Sequence, residues 1–212
     1  MTAPTGPARL AVLLSGSGRT LLNLHERCVR GLLPAHVALV VASRPCLGAD
    51  RARERGLETL VLPGTIPAAH LQRELASRRI GWVVLAGYLR RLEIPPDYRG
   101  RVVNIHPALL PAFGGPGMHG DAVHAAVLAR GCKVSGCTVH LCDEHYDAGP
   151  IVLQRCCAVA EDDTPQSLAA RVFELELGAY PEALGLLLAG RVVVEDGRAR
   201  VLPEPAQPGD RP

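Results

Sequence analysis

Short unbroken apolar runs alternate with stretches of helical spacing through the first half of the chain, the rhythm of a parallel sheet covered by helices. Leu10 to Leu14 reads as a first buried strand, and Leu21, Leu22, Leu24 and Val29 then recur on one helix face. Val37 to Ala42, Thr59 to Leu62, Trp82 to Ala86 and Arg101 to Ile105 read as further strands, with helices over Ala49 to Arg55 and around His70, Leu71, Leu75 and Ile80. The second half breaks the alternation. Asp121 is expected to cap a helix running through Ala129. Val134 to Leu141 is read as an alternating strand, and Ile151 to Val159 follows it as another. Thr164-Pro165 supplies a cap and a first-turn proline for a long helix to Leu188. Arg191 to Val194 and Arg198 to Val201 flank Asp196-Gly197, a hairpin signal. The pattern predicts one α/β domain over residues 9–202: a doubly wound, mostly parallel sheet with helices on both faces and antiparallel strands toward the C-terminus. Residues 1–8 and 203–212 are expected to be flexible.

Composition narrows the partners. The chain has 212 residues, 48% hydrophobic, and 23 basic against 21 acidic residues for a net charge of +2. That balance offers no footprint for nucleic acid or an acidic membrane, so a small-molecule substrate is expected. Arg51, Arg53, Arg55, Arg78 and Arg79 read as solvated helix faces. No apolar run approaches the ~18 residues a membrane span needs, and the first residues lack a signal-peptide pattern, which predicts a cytoplasmic protein. Seven cysteines without a Cys-x-x-Cys spacing read as reduced, mostly packed thiols, Cys156 and Cys157 among them. Monomer and homodimer both stay open.

Candidate chemistry concentrates between Val102 and Asp147. In a strand, residues two apart share a face, so Asn104 and His106 point the same way, and Pro107 and Pro111 end the strand beside them. Open α/β sheets place ligands at such carboxyl ends. Asn104 can donate to an oxyanion, or simply brace a turn. His106 can shuttle a proton, or sit in the core bonded to backbone. The loop Asp143-Glu144-His145-Tyr146-Asp147 holds three acids, and chemistry alone does not choose among them or exclude a merely solvated turn. Asp147 is the last before the next strand. A carboxylate near His106 is expected to raise its pKa and orient its ring.

Three glycine-bearing stretches surround this centre. Ser15-Gly16-Ser17-Gly18-Arg19-Thr20 lies between a strand and a helix N-terminus, a seat for a monophosphate or else a structural turn. A nucleotide P-loop would need Gly-Lys-Ser/Thr. A dinucleotide fingerprint, the weaker alternative, would need glycine where Leu21 stands and an acid near Val40-Val41-Ala42-Ser43-Arg44. Gly87 to Leu92 either presents backbone to a flat ligand or covers the sheet edge. Phe113 to Gly120 reads as a mobile lid or binding loop. His140, Cys142 and His145 fail known zinc spacings, so no metal is expected.

Asn104-Ile105-His106-Pro107-Ala108-Leu109-Leu110-Pro111 and Asp147-Ala148-Gly149-Pro150, supported by Ser15-Gly16-Ser17-Gly18 and Leu85-Ala86-Gly87-Tyr88-Leu89-Arg90, resemble the phosphoribosylglycinamide formyltransferases, from about Arg9 to Val201. The resemblance implies transfer of a formyl group from 10-formyltetrahydrofolate to the amine of glycinamide ribonucleotide in purine synthesis, with no metal. It matches Asn104, His106 and Asp147 to the catalytic Asn, His and Asp. Asn104 and a protonated His106 would stabilise the oxyanion, while Asp147 would hold His106 and a proton-relaying water. It further implies Gly18, Arg19 and Thr20 on the substrate phosphate, Glu176 on the glycinamide or ribose, and Leu89, Arg90, Leu92, Cys142, Asp143 and Asp147 around the folate. Ser17 and Arg19-Thr20 depart from the family's Asn and Ser-Asn. Pro116 and His119 stand where a subgroup has Lys and Tyr. A sugar-amine formyltransferase, a formyl hydrolase and a non-catalytic binding module are the alternatives.

Overall fold

The computed structural model describes residues 6–204; of the termini expected to be flexible, residues 1–5 and 205–212 lie outside the described residues. Strand β1 (Ala8–Leu14) leads into helix α1 (Arg19–Val29), followed by β2 (Ala35–Ala42), α2 (Leu47–Glu54), β3 (Thr59–Val61), α3 (Ala68–Ser77) and β4 (Trp82–Leu85). After a 3-10 turn at Pro96–Tyr98 come β5 (Val102–His106), α4 (Asp121–Ala129), β6 (Val134–Leu141), β7 (Ile151–Ala158), α5 (Pro165–Leu188), and the strands β8 (Val192–Glu195) and β9 (Arg198–Val201). Seven strands form one sheet in the order β3-β2-β1-β4-β5-β6-β7, and β8-β9 form a separate hairpin. The pairs from β3 to β5 are parallel, while β5–β6 and β6–β7 are antiparallel. The expected fold class therefore holds. Chain order reverses between β1 and β4, which opens a crevice beyond their carboxyl ends.

Both sheet faces are covered, unevenly. Leu10, Val12 and Leu14 pack with α1, α2, α4 and α5, while Ala11 and Leu13 pack with α3 and Tyr98. Burial on two faces is why β1 and β2 read as continuous apolar runs rather than alternating ones. The same reason corrects the reading of β6 as alternating: seven of its eight residues are buried, polar ones included, because α5 and the neighbouring strands enclose it. Asp121 is also corrected. Gly120 is the N-cap of α4, without a side-chain cap, and Asp121 is the first helical residue, where its charge suits the helix dipole. Thr164 does cap α5, in a reciprocal capping box with Ser167. Asp196 and Gly197 both have positive φ, as a tight two-residue hairpin turn requires.

Strands β4 and β5, whose carboxyl ends carry the site, are tied together by Tyr180 of α5. Its fully buried hydroxyl lies 2.9 Å from the carbonyl oxygens of both Leu85 and Val103. Tyr180→Phe is expected to lower unfolding free energy by ~1–3 kcal/mol, because buried acceptors lose their donor. Urea melts of the two proteins measure this, and equal midpoints would mean the bond contributes nothing.

Candidate active site

Asn104 and His106 lie on one face of β5, as strand geometry demands, with Val103 and Ile105 turned toward the α5 side. Asn104 is directly opposite His140 in the antiparallel β5–β6 register. Its Nδ2 stands 3.1 Å from His140 Nε2, and His140 Nδ1 stands 3.0 Å from the Leu141 carbonyl. The Leu141 carbonyl requires a proton on Nδ1, so in the neutral ring Nε2 accepts from Asn104. One amide hydrogen of Asn104 is thereby fixed, and the other remains for a ligand.

His106 is almost completely buried. Its Nε2 lies 2.8 Å from the Phe113 carbonyl, and its Nδ1 lies 3.5 Å from Asp147 Oδ2. By the same logic Nε2–H donates to Phe113 and Nδ1 is the nitrogen that gains or loses a proton. Burial pushes the His106 pKa down and outweighs the Asp147 carboxylate and the Phe113 carbonyl, which push it up. This corrects the expected rise. The carboxylate acts in the expected sense, but desolvation of a ring this enclosed is larger, and the resting imidazole is neutral at pH 7.

Of the three acids in the loop, Asp147 is the one that stands against His106. Its backbone adopts φ 53°, followed by Gly149, where any side chain would overlap the Leu141 carbonyl. Oδ2 accepts from Gly115 N–H at 2.9 Å, which ties the glycine loop to the site, and Oδ1 lies 3.6 Å from His140 Nε2. At that length the contact is not a hydrogen bond, and it attracts the carboxylate when the His140 ring carries a proton on Nε2 as well as Nδ1. Burial pushes the Asp147 carboxyl up, but His140, the Gly115 N–H and His106 together hold it below its ordinary value. Asp143 instead accepts from the His145 N–H, and Glu144 pairs with Arg99 on the surface.

These groups border a cavity of about 380 Å³. Leu89, Arg90, Leu92, Cys142, Asp143 and Asp147 line it, as do Thr20 and Glu176 at another part of the wall. Glu176 is pushed up to about 7 by burial, against the opposing charge of Arg19. Gly18 and Arg19 flank the cavity rather than line it. Gly18 is the N-cap of α1 with φ 74°, and a Cβ there would come within 2.7 Å of Gly48 Cα, so the turn is packed hard against α2. The Arg19 guanidinium stacks on the Phe173 ring at 3.6 Å. No side chain caps α1 and its first turn holds no acid, so its leading N–H groups are free for an anion. Ser15 Oγ accepts from Leu89 N–H at 2.9 Å, which joins this turn to the Gly87–Leu92 loop.

In the sequence His140 stands out only through a spacing to Cys142 and His145 that fails as a zinc site, yet it sits at the centre. The pairing register places it, and no local pattern shows that register. Among the described residues no group of three His, Cys, Asp or Glu is arranged to hold a metal ion, and no helix is long and apolar enough to cross a membrane. Cys156 corrects the expectation of a packed thiol: it is exposed on β7, an edge strand with one open face, while Cys157 is half-buried.

Fold and site together define an α/β protein with an amide, an imidazole and a carboxylate gathered at the carboxyl edge of a doubly wound sheet. The family model described as "Formyl transferase" matches residues 8–184. A chloroplastic phosphoribosylglycinamide formyltransferase of Arabidopsis thaliana is 39% identical over 194 residues, covering 87% of this chain and 66% of that protein. A trifunctional purine biosynthetic protein adenosine-3 of Drosophila melanogaster is 37% identical over 198 residues, 88% of this chain but 14% of its own length. The crystal structure of glycinamide ribonucleotide transformylase 1 from Symbiobacterium toebii superposes with a TM-score of 0.86 at 37% identity, covering 94% of this chain and 96% of that one. The chain belongs to the formyl transferase family. It spans just under two thirds of the plant relative and a small part of the insect one.

Proposed function

We propose that this chain transfers the formyl group of 10-formyltetrahydrofolate to the amine of glycinamide ribonucleotide, a step of purine biosynthesis. One observation carries the reading. A single cavity borders Asn104, His106 and Asp147 and also Thr20 and Glu176 beside the uncapped start of α1, so a phosphorylated amine and a flat formyl donor have adjoining places. The amine nitrogen bonds to the formyl carbon, and the carbonyl electron pair moves to oxygen, where the free Asn104 N–H stabilises it. His106, neutral at rest, takes the proton released by the amine at Nδ1, and Asp147 stabilises the resulting imidazolium. Collapse of the intermediate breaks the bond to the folate nitrogen, which receives the proton. Thr20, with Gly18 and Arg19, holds the phosphate, and Glu176 the glycinamide or ribose. Leu89, Arg90, Leu92, Cys142 and Asp143 surround the folate. A cytoplasmic location goes with this reading, and seven unpaired cysteines suit a reducing compartment.

The purified chain is expected to consume 10-formyltetrahydrofolate only when glycinamide ribonucleotide is present, with formylated nucleotide as product. Consumption without acceptor would replace this reading with formyl hydrolysis, and consumption only with nucleotide-linked amino sugars would replace the acceptor.

A further inference from the structure

Helix α5 contains a proline in its interior, Pro181, and two side chains from another helix occupy the place of the bond it cannot make. Proline has no N–H, so the carbonyl four residues earlier, that of Leu177, loses its intrahelical partner. A buried carbonyl left without a donor is costly. Here Asn23 Nδ2 donates to Leu177 O at 3.0 Å, and Arg27 Nη2 donates to the same oxygen at 3.1 Å. Arg27 Nε also lies 3.3 Å from Asn23 Oδ1, so the two donors brace each other. All of this comes from α1, one turn apart on the same helix face.

The residue before Leu177 is Glu176, which lines the cavity with Thr20. Arg19, at the start of α1, stacks on Phe173 of α5 and faces Glu176. The two helices thus meet at two points, the Arg19–Phe173 stack at the cavity and the Asn23/Arg27–Leu177 brace one to two turns further along α1. Two contacts fix both the rotation of α5 about its axis and its separation from α1. We infer that Asn23 and Arg27 are positioning residues for the acceptor substrate: through the carbonyl that Pro181 leaves free, they set Glu176 against the phosphate turn. Neither side chain is among the residues that line the cavity, so their effect reaches the ligand through the seating of α5, which carries Glu176, against α1, which carries Thr20.

This inference rests on the proposed acceptor site, and steady-state kinetics separates the two. The parent chain, Asn23→Leu, Arg27→Met and Pro181→Ala are compared, with KM for glycinamide ribonucleotide and for 10-formyltetrahydrofolate measured separately. Asn23→Leu and Arg27→Met are each expected to raise the acceptor KM roughly tenfold, with kcat and the donor KM nearly unchanged, and Arg27→Lys to recover most of the loss. Pro181→Ala gives the helix back an N–H that competes for the Leu177 carbonyl. It is expected to raise the acceptor KM although Asn23 and Arg27 are intact and helix propensity has improved. Donor and acceptor KM rising together, or acceptor KM unmoved in well-folded Pro181→Ala, would overturn the inference. Absence of glycinamide ribonucleotide turnover in the parent chain would remove the functional reading itself, and the acceptor role with it.

Discussion

Replacing His106 with alanine is expected to lower kcat by roughly 10²–10⁴-fold, the range for losing a positioned proton-transfer group. The reason lies in which nitrogen is free. Nε2 is committed to the Phe113 carbonyl, so Nδ1, held 3.5 Å from the Asp147 carboxylate, is the one basic atom the ring can offer. A neutral ring at rest can accept a proton, and the adjacent carboxylate stabilises the cation formed. Because both effects belong to the transition state, kcat and kcat/KM should fall together while binding of donor and acceptor stays near the parent values. His106→Asn, closer in volume and still able to donate to Phe113, guards against reading a collapsed cavity as lost catalysis. Single-turnover formyl transfer with both variants decides the matter. A loss below tenfold in either would make His106 a packed core histidine whose bond to Phe113 is its whole role.

Local sequence patterns carry the strands well because parallel strands buried on both faces must be apolar throughout, as β1 and β2 are. The shared face of Asn104 and His106 follows from the period of a strand, and Thr164-Pro165 from the chemistry of a helix start. What local pattern cannot carry is register. His140 meets Asn104 because β5 and β6 pair antiparallel with those residues opposite, and a slip of one residue would turn His140 to the other face. Asp147 could not be separated from Asp143 and Glu144 for a related reason. All three are acids in one loop, and the choice is made by a positive-φ backbone, the close approach of Gly149 to Leu141, and the Gly115 N–H from a loop 32 residues away. The direction of the His106 shift was likewise out of reach, since it depends on how completely neighbours from three segments enclose the ring. Pro181 was legible as a residue, but the partner of the carbonyl it frees lies about 150 residues earlier.

Asp147→Asn is the second large effect, and its pH dependence separates two roles that a rate alone would merge. The amide keeps an oxygen for the Gly115 N–H, so the loop tether survives while the charge is removed. The rate at neutral pH should fall by roughly 10²–10⁴-fold, because the imidazolium formed in the reaction loses its counter-charge. In the parent protein His106 must be neutral to accept a proton, and burial holds its pKa below the ordinary 6.5. Thus the single-turnover rate with donor and acceptor both saturating should rise with pH along a limb below 6.5, with Asp147 itself already ionised because its own pKa is lowered. Glu176, pushed up to about 7 at the acceptor place, bears on kcat/KM through acceptor binding. Removing the carboxylate removes an influence that raises the His106 pKa, so the limb in Asp147→Asn should move to lower pH even as the plateau drops. A purely structural Asp147 would lower the plateau without moving the limb. A limb displaced to higher pH would show that some other group titrates there, and the pairing of His106 with Asp147 would no longer account for proton transfer.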